Sequence, residues 1–242
     1  MKAKNLTLTA IVPFFNEEKY LEESINRLLN INICNQIILV DDFSNDMSLK
    51  IAKKLELLHD NIDVLALTKN SGKGNAIRLA LPLIKSTHAI VHDADLEYFP
   101  DDIILMFKLV EKNPQNLILG SRTLDGQKRY NRYKVTYYAN KYFTYLFSIL
   151  NFTLVSDIAS CYWLVNSDIL KSLNIKEKGF GIEVEVLSKF LRTKKNIQEV
   201  PIKYSGRTYE EGKKIKLVDG IQIFIKIFKY SKLFNFFKTI KT

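Results

Sequence analysis

Acidic residues stand directly after short apolar runs at three places in the N-terminal half of this 242-residue chain. They are Asn16-Glu17, Asp41-Asp42 and the segment from Asp93 to Glu97. Two carboxylates separated by one residue, as in Asp93-Ala94-Asp95, can face a common point and offer the oxygen ligands that Mg²⁺ or Mn²⁺ prefers. Taken alone, this pair is weak evidence for a metal site, because a solvated acidic turn has the same pattern.

Two further segments could contribute to phosphate chemistry. Asn70-Ser71-Gly72-Lys73-Gly74-Asn75 lacks the spacing of a P-loop, but a Gly-Lys-Gly turn entering a helix can place backbone N–H groups and a cation near phosphate. The segment 207–214 combines arginine and lysines with a glycine, which is typical of a mobile loop that closes over phosphates. A plain helix entry and an exposed charged loop are the alternatives.

Other kinds of catalytic site are not indicated. The three histidines have no metal-ligand spacing, and neither Cys34 nor Cys161 has a histidine nearby in sequence. A zinc site or a cysteine nucleophile is therefore not expected. The pair Asp41-Asp42 could act as acid and base or accept hydrogen bonds from a nucleobase, or it could simply precede a helix that Ser44 or Asp46 caps.

Apolar periodicity places the acidic clusters at the ends of strands. Strand-like runs at 8–14, 36–40, 64–67, 89–92 and 117–120 alternate with helical spacing at 17–29, 44–57, 72–84 and 100–110. This order predicts an α/β fold with a mainly parallel sheet and helices on both faces, in which ligands bind beyond the carboxyl ends of the strands. We expect one domain over residues 1–220 and an amphipathic helix over residues 221–242.

Composition indicates anionic partners and a reducing compartment. The chain has 36 Lys and Arg against 26 Asp and Glu, a formal net charge of +10. Its two cysteines form no disulfide framework and its start has no signal-peptide pattern, which predicts a cytoplasmic location. Segments 142–155 and 221–237 suit interfacial helices as well as core helices, so we expect peripheral contact with the cytoplasmic face of a membrane. The oligomeric state stays open.

Short motifs along the chain carry a family resemblance. They are Val12-Pro13-Phe14-Phe15-Asn16-Glu17-Glu18, Val40-Asp41-Asp42-Phe43-Ser44-Asn45-Asp46, Asn70-Ser71-Gly72-Lys73-Gly74-Asn75-Ala76, Asp93-Ala94-Asp95-Leu96, Gly120-Ser121-Arg122, the run from Asp157 to Tyr162, and Glu199-Val200-Pro201-Ile202. In order and spacing they resemble family 2 glycosyltransferases, in particular the dolichol-phosphate mannose synthase-like branch. The resemblance covers about residues 7–220.

This resemblance implies a GT-A fold, that is, a Rossmann-like nucleotide-binding sheet, and a set of site residues. The implied nucleotide-sugar site comprises Pro13, Phe15, Glu17, Val40, Asp42, Lys73, Asp93, Ala94, Arg207 and Lys213 or Lys214. The implied metal site, for Mg²⁺ or Mn²⁺, comprises Asp93, Asp95 and Glu97, and Arg122 would hold an acceptor phosphate. Phe43 and Met47 stand where relatives usually have glycine, which predicts a locally different turn.

The expected reaction is a single displacement that moves a hexose from a GDP- or UDP-linked sugar, with inversion. Asp95 and the cation would stabilise the leaving diphosphate. A polyprenyl phosphate acceptor, dolichyl or undecaprenyl, is already anionic, so Arg122 would mainly position it. A saccharide hydroxyl of a cell-surface glycan would instead require a carboxylate base, for which Asp157 is the first candidate and Glu183 the second.

Two rival interpretations predict different chemistry. A nucleotidyltransferase would carry a glycine-rich G-x-G-T-R motif near its N-terminus, where this chain has Pro13-Phe14-Phe15-Asn16-Glu17. A non-catalytic basic module that binds nucleic acid or membrane would fit the net charge. It would leave the acidic clusters unexplained, because without a metal they repel phosphate. We therefore expect no nucleic-acid partner.

Overall fold

The computed structural model describes residues 6–124, 134–207 and 217–235. Within them, seven strands form one sheet in the order β3-β2-β1-β4-β6-β5-β7. The strands are β1 (Leu8–Phe14), β2 (Gln36–Asp41), β3 (Ile62–Ala66), β4 (His88–Val91), β5 (Leu117–Ser121), β6 (Trp163–Asn166) and β7 (Ile197–Pro201). Strand β6 is antiparallel to both neighbours and every other pair is parallel. The predicted α/β fold with a mainly parallel sheet is confirmed.

Helices cover both faces of this sheet. They are α1 (Leu21–Asn30), α2 (Ser48–Leu58), α3 (Lys73–Ala80), α4 (Asp101–Lys112), α5 (Lys134–Asn151), α6 (Ser167–Ser172), α7 (Ile182–Arg192) and α8 (Leu217–Tyr230). One apolar core joins the sheet to α1, α2 and α4, and a second joins it to α3, α5, α6, α7 and α8. Because helices cover both faces of the sheet, strand β1 is buried at every position.

Two helices differ from the predicted bounds for local reasons. Helix α1 begins at Leu21 because Asn16 has a positive φ of 51° and the carbonyl of Glu17 accepts the N–H groups of Tyr20 and Leu21 in a turn. Helix α3 ends at Ala80 and continues as a 3₁₀ turn, Leu81–Leu83. Apolar spacing alone predicts neither the start of α1 nor the end of α3, because the turn at each of these ends keeps the same side of the helix buried.

The turn after β2 keeps a backbone conformation that favours glycine. Phe43 has a φ of 67°, in the left-handed region, and its side chain is 47% exposed. The backbone therefore retains the glycine-like conformation at this position, at a cost of about 1–2 kcal/mol for a residue with a Cβ. The Asp46 carboxylate accepts the N–H of Ser48, the first residue of α2, whereas the N-cap residue, Met47, makes no side-chain cap hydrogen bond.

The C-terminal helix is anchored to the rest of the chain. Helix α8 begins at Leu217, earlier than the expected residue 221, and packs against α5 and α7. Its Ile227 is fully buried, and the Glu177 carboxylate accepts hydrogen bonds from Lys229 at 2.9 Å and from Tyr230 at 2.6 Å. Within the described ranges no helix has both the length and the apolar character to cross a membrane.

Candidate active site

A cavity of about 530 Å³ lies at the carboxyl ends of β1, β2 and β4. Its lining brings together residues from all three acidic clusters and from the Gly-Lys-Gly turn, namely Glu17, Asp42, Asp93, Asp95, Glu97, Gly72 and Lys73. Parallel strands end at one edge of a sheet, so groups distant in sequence meet there. The expected convergence of carboxylates on one cavity is thus present in the fold.

Asp42 fixes the turn that leads into α3. Its two carboxylate oxygens accept the backbone N–H groups of Ser71, at 2.7 Å, and Gly72, at 2.8 Å. The side chain of Asn70 donates to the carbonyl of Asp42 at 3.2 Å. A carboxylate has further lone pairs, so Asp42 can still accept a hydrogen bond from a ligand that enters the cavity.

Gly72 and Gly74 permit the close approach of α3 to the segment before α7. Gly72 has a φ of 88°, and a Cβ on it would lie 2.5 Å from the carbonyl oxygen of Lys178. A Cβ on Gly74 would lie equally close, 2.5 Å, to the carbonyl oxygen of Glu177. Both obstacles are backbone atoms, which cannot move aside as a flexible side chain can.

Replacing Gly72 by alanine is therefore expected to destabilise the fold by about 1–3 kcal/mol, because alanine must adopt a strained φ and displace backbone. The control is Gly179→Ala, since a Cβ at Gly179 meets nothing within 4 Å. Urea denaturation of both variants measures the difference in the free energy of unfolding. Equal stability of the two variants would contradict this account of the turn.

Lys73 links two carboxylates at the floor of the cavity. Its Nζ lies 2.8 Å from Asp93 Oδ1 and 3.2 Å from Glu183 Oε1. Burial acts to lower the pKa of Lys73, but the adjacent Asp93 and Glu183 carboxylates outweigh it and raise that pKa well above its ordinary value. Burial acts to raise the pKa of Asp93, and Lys73 holds it below the usual range. Asp93 is therefore ionised and fixed in place.

Arg207 makes a second set of ion pairs among the residues that line the cavity. Its Nη1 donates to Glu17 Oε2 at 3.0 Å, and its Nη2 donates to Asp95 Oδ2 at 3.2 Å. Both oxygens of Glu97 are occupied by the same segment, since they accept the backbone N–H of Arg207 at 2.8 Å and the hydroxyl of Tyr204 at 2.6 Å. Glu97 thus anchors the segment 204–207. Both of its carboxylate oxygens already accept hydrogen bonds, unlike those of a carboxylate that is open to a metal ion.

Asp95 lies in an environment that disfavours the ionised form of its carboxyl group. Burial, together with the neighbouring carboxylates of Glu97 and Asp93, raises the pKa of Asp95 to about 8, although Arg207 opposes the shift. An added cation would favour the ionised form of this carboxyl group. The site therefore fits a positively charged ligand next to Asp95.

The carboxylate oxygens available in the cavity fit a metal ion that also binds a substrate. Among the described residues there is no group of three or more His, Cys, Asp or Glu side chains arranged to hold a metal ion by themselves. Asp93 and Asp95 could supply carboxylate oxygens, and the remaining ligands would have to come from a bound molecule or water. Mg²⁺ and Mn²⁺ accept such mixed oxygen ligands.

Arg122 and Asp157 form a buried pair at one end of the cavity. Arg122 Nε donates to Asp157 Oδ2 at 2.7 Å, and Nη2 donates to Oδ1 at 2.8 Å. The backbone N–H of Arg122 also donates to Oδ2, at 3.0 Å. Arg122 is 7% exposed and lines the cavity, whereas Asp157 is 1% exposed. Asp157 therefore orients Arg122, and of the two expected bases only Glu183 lines the cavity.

The other predicted site residues divide into three groups. Pro13, Phe15 and Ala94 line the cavity. Val40 is fully buried in the core that contains α3, so its side chain does not belong to the described lining. Lys213 and Lys214 lie outside the described residues.

Several residues of the cavity wall were missed by sequence reasoning. Tyr98 and Tyr204 pack edge to face with ring centroids 5.3 Å apart, and the Arg122 guanidinium lies 4.8 Å from the centroid of the Tyr204 ring. Phe143 of α5 and Ile223 of α8 form an apolar part of the lining, and the amide side chain of Asn140 of α5 lines the cavity as well. Tyr204 closely follows Glu199-Val200-Pro201-Ile202 in sequence, and this position could have indicated that Tyr204 belongs to the cavity wall. No local pattern marks the helix residues, since they reach the cavity through long-range packing.

His92 has a structural role. It is 1% exposed, and its ring nitrogens lie 2.7 Å from the Tyr162 hydroxyl and 3.1 Å from the Ser24 hydroxyl. Burial lowers the pKa of His92 to about 4, so the imidazole is neutral. It supports the segment that leads from the end of β4 at Val91 to Asp93.

Comparisons with known proteins agree with this geometry. The profile described as "Glycosyl transferase family 2" matches residues 9–173. The chain is 28% identical over 234 residues to a UDP-N-acetylglucosamine–dolichyl-phosphate N-acetylglucosaminyltransferase of Methanococcus voltae, covering 90% of this chain and 93% of the relative. It is 27% identical over 217 residues to an undecaprenyl-phosphate mannosyltransferase of Micrococcus luteus, covering 86% and 87%.

A solved structure shows the same fold. The glucosyl-3-phosphoglycerate synthase of Mycobacterium tuberculosis, in complex with Mg²⁺ and uridine diphosphate, superimposes with a TM-score of 0.72. The match covers 94% of this chain and 80% of that chain at 17% sequence identity. At this identity the likeness establishes the architecture alone.

Proposed function

The chain belongs to glycosyl transferase family 2, and from that premise we propose that it transfers a hexose from a nucleotide-diphosphate sugar to a polyprenyl phosphate. The observation that carries the proposal is the cavity in which Asp93 and Asp95 face Glu17, Asp42 and an apolar wall. The polar side suits a nucleoside diphosphate, and the apolar side suits a lipid-linked acceptor. Relatives named for dolichyl and undecaprenyl phosphates support this choice of acceptor.

The donor would lie along the strand ends. We assign base and ribose to the region of Pro13, Phe15 and Asp42, which line one part of the cavity. The diphosphate would lie near Lys73 and Arg207, whose cations already pair with Asp93 and Asp95. Lys213 or Lys214 would join them at the diphosphate. The base of the donor is uracil or guanine, since both UDP- and GDP-linked hexoses are candidate donors.

Mg²⁺ or Mn²⁺ would be held by Asp93 and Asp95, with Glu97 as a neighbour. When bound, the cation would neutralise charge on the leaving diphosphate. The contribution of the chain is to hold two carboxylates on a rigid strand end, where they need no reorganisation during the reaction. Arg207 would have to give up its contact with Asp95 when the metal binds, because both cations use the same carboxylate.

Arg122 would position the acceptor phosphate. Asp157 holds its guanidinium through two side-chain hydrogen bonds, and Arg122 lines the cavity. A phosphate monoester is anionic and can attack the anomeric carbon without a base, so positioning is the main requirement. The product would have an inverted anomeric configuration.

A saccharide hydroxyl is the second candidate acceptor, because the cavity contains a carboxylate suited to take a proton. Burial raises the pKa of Glu183, although Lys73 partly opposes the shift. A general base works best with a pKa near the operating pH. Transfer to a glycan would then depend on Glu183 rather than on Asp157.

We assign the catalytic residues to the domain at residues 1–220. We assign to residues 221–242 a part of the cavity wall and a peripheral contact with the cytoplasmic face of a membrane. Ile223 of α8 lines the cavity, which links the two parts.

Thermal-shift measurements with nucleotide sugars test the proposal. A matching donor at about 100 times its Kd is expected to raise stability by about 2.7 kcal/mol, and only when Mn²⁺ or Mg²⁺ is present. UDP- and GDP-linked hexoses are compared with the free nucleoside monophosphates as controls. The absence of a shift with every sugar nucleotide in the presence of metal would contradict the proposal, and so would release of pyrophosphate from a nucleoside triphosphate.

A further inference from the structure

Glu199 is the middle residue of β7, lies outside the cavity lining, and joins the two segments that carry Arg122 and Asp157. We propose that Glu199 is a positioning residue that holds the guanidinium of Arg122 in place through Ser156. The inference rests on the proposed function, in which Arg122 binds the acceptor phosphate, and it names a further residue on which that contact depends.

The Glu199 carboxylate binds Ser156 through three hydrogen bonds. Both of its oxygens accept the backbone N–H of Ser156, Oε1 at 2.8 Å and Oε2 at 3.0 Å. Oε1 also accepts the hydroxyl of Ser156, at 2.8 Å. Ser156 directly precedes Asp157, the residue that orients Arg122. The three bonds therefore fix the backbone from which the Asp157 side chain extends.

Ser156 is also joined to the residues on both sides of Arg122. The hydroxyl oxygens of Ser156 and Ser121 lie 2.6 Å apart. The hydroxyl of Thr123 donates to the carbonyl of Ser156 at 2.9 Å. Ser121 and Thr123 are the sequence neighbours of Arg122, so the backbone of Arg122 is held on either side by the residue that Glu199 binds.

The carboxylate sets the direction of these hydrogen bonds. An ionised carboxyl group only accepts, so the single hydroxyl proton of Ser156 points to Glu199. The hydroxyl oxygen of Ser156 then accepts the hydroxyl proton of Ser121. Successive hydrogen bonds in such a chain polarise and strengthen one another. Removal of the carboxylate takes away the acceptor at the end of the chain and leaves both hydroxyl groups free to rotate.

The surroundings of Glu199 concentrate its effect on Ser156. Burial raises the pKa of Glu199 and the Asp157 carboxylate adds to the shift, whereas the hydrogen bonds from Ser156 oppose it. Glu199 forms no ion pair with any lysine, arginine or histidine that the structure describes. A half-buried carboxylate without a cation costs folding free energy unless it is hydrogen-bonded. Its bonds to Ser156 are therefore the interactions that accommodate the charge.

Steady-state kinetics of three variants tests the proposal. Transfer to undecaprenyl phosphate is measured with the sugar nucleotide that gives the largest thermal shift, held at saturation. Glu199→Ala loses all three bonds, and Ser156→Ala loses only those of the hydroxyl. Glu199→Gln keeps an oxygen that can accept the two bonds of 2.8 Å. The control, Glu56→Ala, removes a carboxylate that accepts the backbone N–H of Val64 at 2.7 Å, outside the cavity lining.

Glu199→Ala is expected to raise the KM for undecaprenyl phosphate at least about tenfold, because a displaced Arg122 weakens binding of the acceptor phosphate. Its kcat should stay within about twofold, and its thermal shift with donor and metal should be unchanged. Ser156→Ala should raise this KM about threefold. Glu199→Gln and Glu56→Ala should keep it within about twofold of the wild type.

An unchanged KM in Glu199→Ala, or an equal rise in Glu56→Ala, would overturn the proposal. If Glu199→Ala fails to fold, an unchanged KM in Ser156→Ala overturns it instead.

A second readout is independent of the reaction. The Arg122 Nε–H donates to the buried Asp157, so it exchanges slowly with water, and its NMR signal is assigned by its loss in Arg122→Lys. We expect this proton to exchange faster in Glu199→Ala than in the wild type and Glu56→Ala. That result in a chain that transfers sugar to no polyprenyl phosphate would uphold the positioning role and reject the proposed function. Unchanged exchange in Glu199→Ala would overturn the positioning role, whatever the KM.

Discussion

Replacing Asp95 by alanine is expected to lower the rate of sugar transfer at least about a hundredfold, because a charge-stabilising group at the leaving diphosphate is lost. The fold should remain intact. Burial, together with the carboxylates of Glu97 and Asp93, raises the pKa of Asp95 to about 8, so the folded state does not depend on an ionised carboxylate at this position. Arg207 keeps its hydrogen bonds to Glu17.

The measurement is kcat/KM for transfer at saturating Mn²⁺, with the melting temperature recorded for each variant. Asp101→Ala is the matched control, since Asp101 is an exposed carboxylate on the first turn of α4, close in sequence to Asp95. The control should retain wild-type activity. An Asp95→Ala enzyme that transfers sugar at the wild-type rate without metal would remove the proposed mechanism.

Replacing Asp157 by asparagine is expected to destabilise the fold by about 3–5 kcal/mol, because it leaves the buried Arg122 without its counter-charge. The pair is buried, at 7% and 1% side-chain exposure, and two side-chain hydrogen bonds join its members. Since whole domains are stable by only about 5–15 kcal/mol, this loss should be plain in urea denaturation.

An exposed ion pair gives the control. Glu23 and Arg27 are paired on the surface of α1, at 56% and 42% side-chain exposure. Glu23→Gln should change the free energy of unfolding by less than about 1 kcal/mol. Similar small effects of both substitutions would show that the Arg122–Asp157 pair is solvated, and would restore Asp157 as a candidate base.

Sequence patterns were sufficient to predict where the carboxylates lie. Apolar runs at 8–14 and 36–40 correspond to β1 and β2, and the acidic residues after them reach one cavity because parallel strands end at the same edge. The position of these carboxylates follows from local sequence patterns and from one general rule of α/β sheets. Neither requires the three-dimensional structure to be known.

The pairing of charges could not be predicted in the same way. Arg207 contacts Glu17, which is 190 residues earlier in the chain, and Arg122 contacts Asp157, 35 residues later. Nothing in the local sequence distinguishes a carboxylate that binds a ligand from one that orients an arginine. The predictions of Asp157 as a base and of Glu97 as a metal ligand therefore did not include the hydrogen bonds that Asp157 accepts from Arg122 and that Glu97 accepts from Tyr204 and Arg207.

The apolar wall escaped prediction for a related reason. Periodicity shows that α5 and α8 are amphipathic, but it does not show that their partly buried residues Phe143 and Ile223 meet at a cavity. That contact depends on the packing of α8 against α5 and α7. Helical spacing also continued through residues 17–20, where the turn at Glu17 delays the start of α1.

Anomalous diffraction from crystals grown with Mn²⁺ and a nucleoside diphosphate tests the central claim most directly. The account predicts a manganese peak within coordination distance of Asp95 and of the diphosphate oxygens, with the Arg207 guanidinium moved away from Asp95. A diphosphate bound in the cavity without manganese, or manganese bound far from Asp93 and Asp95, would contradict it.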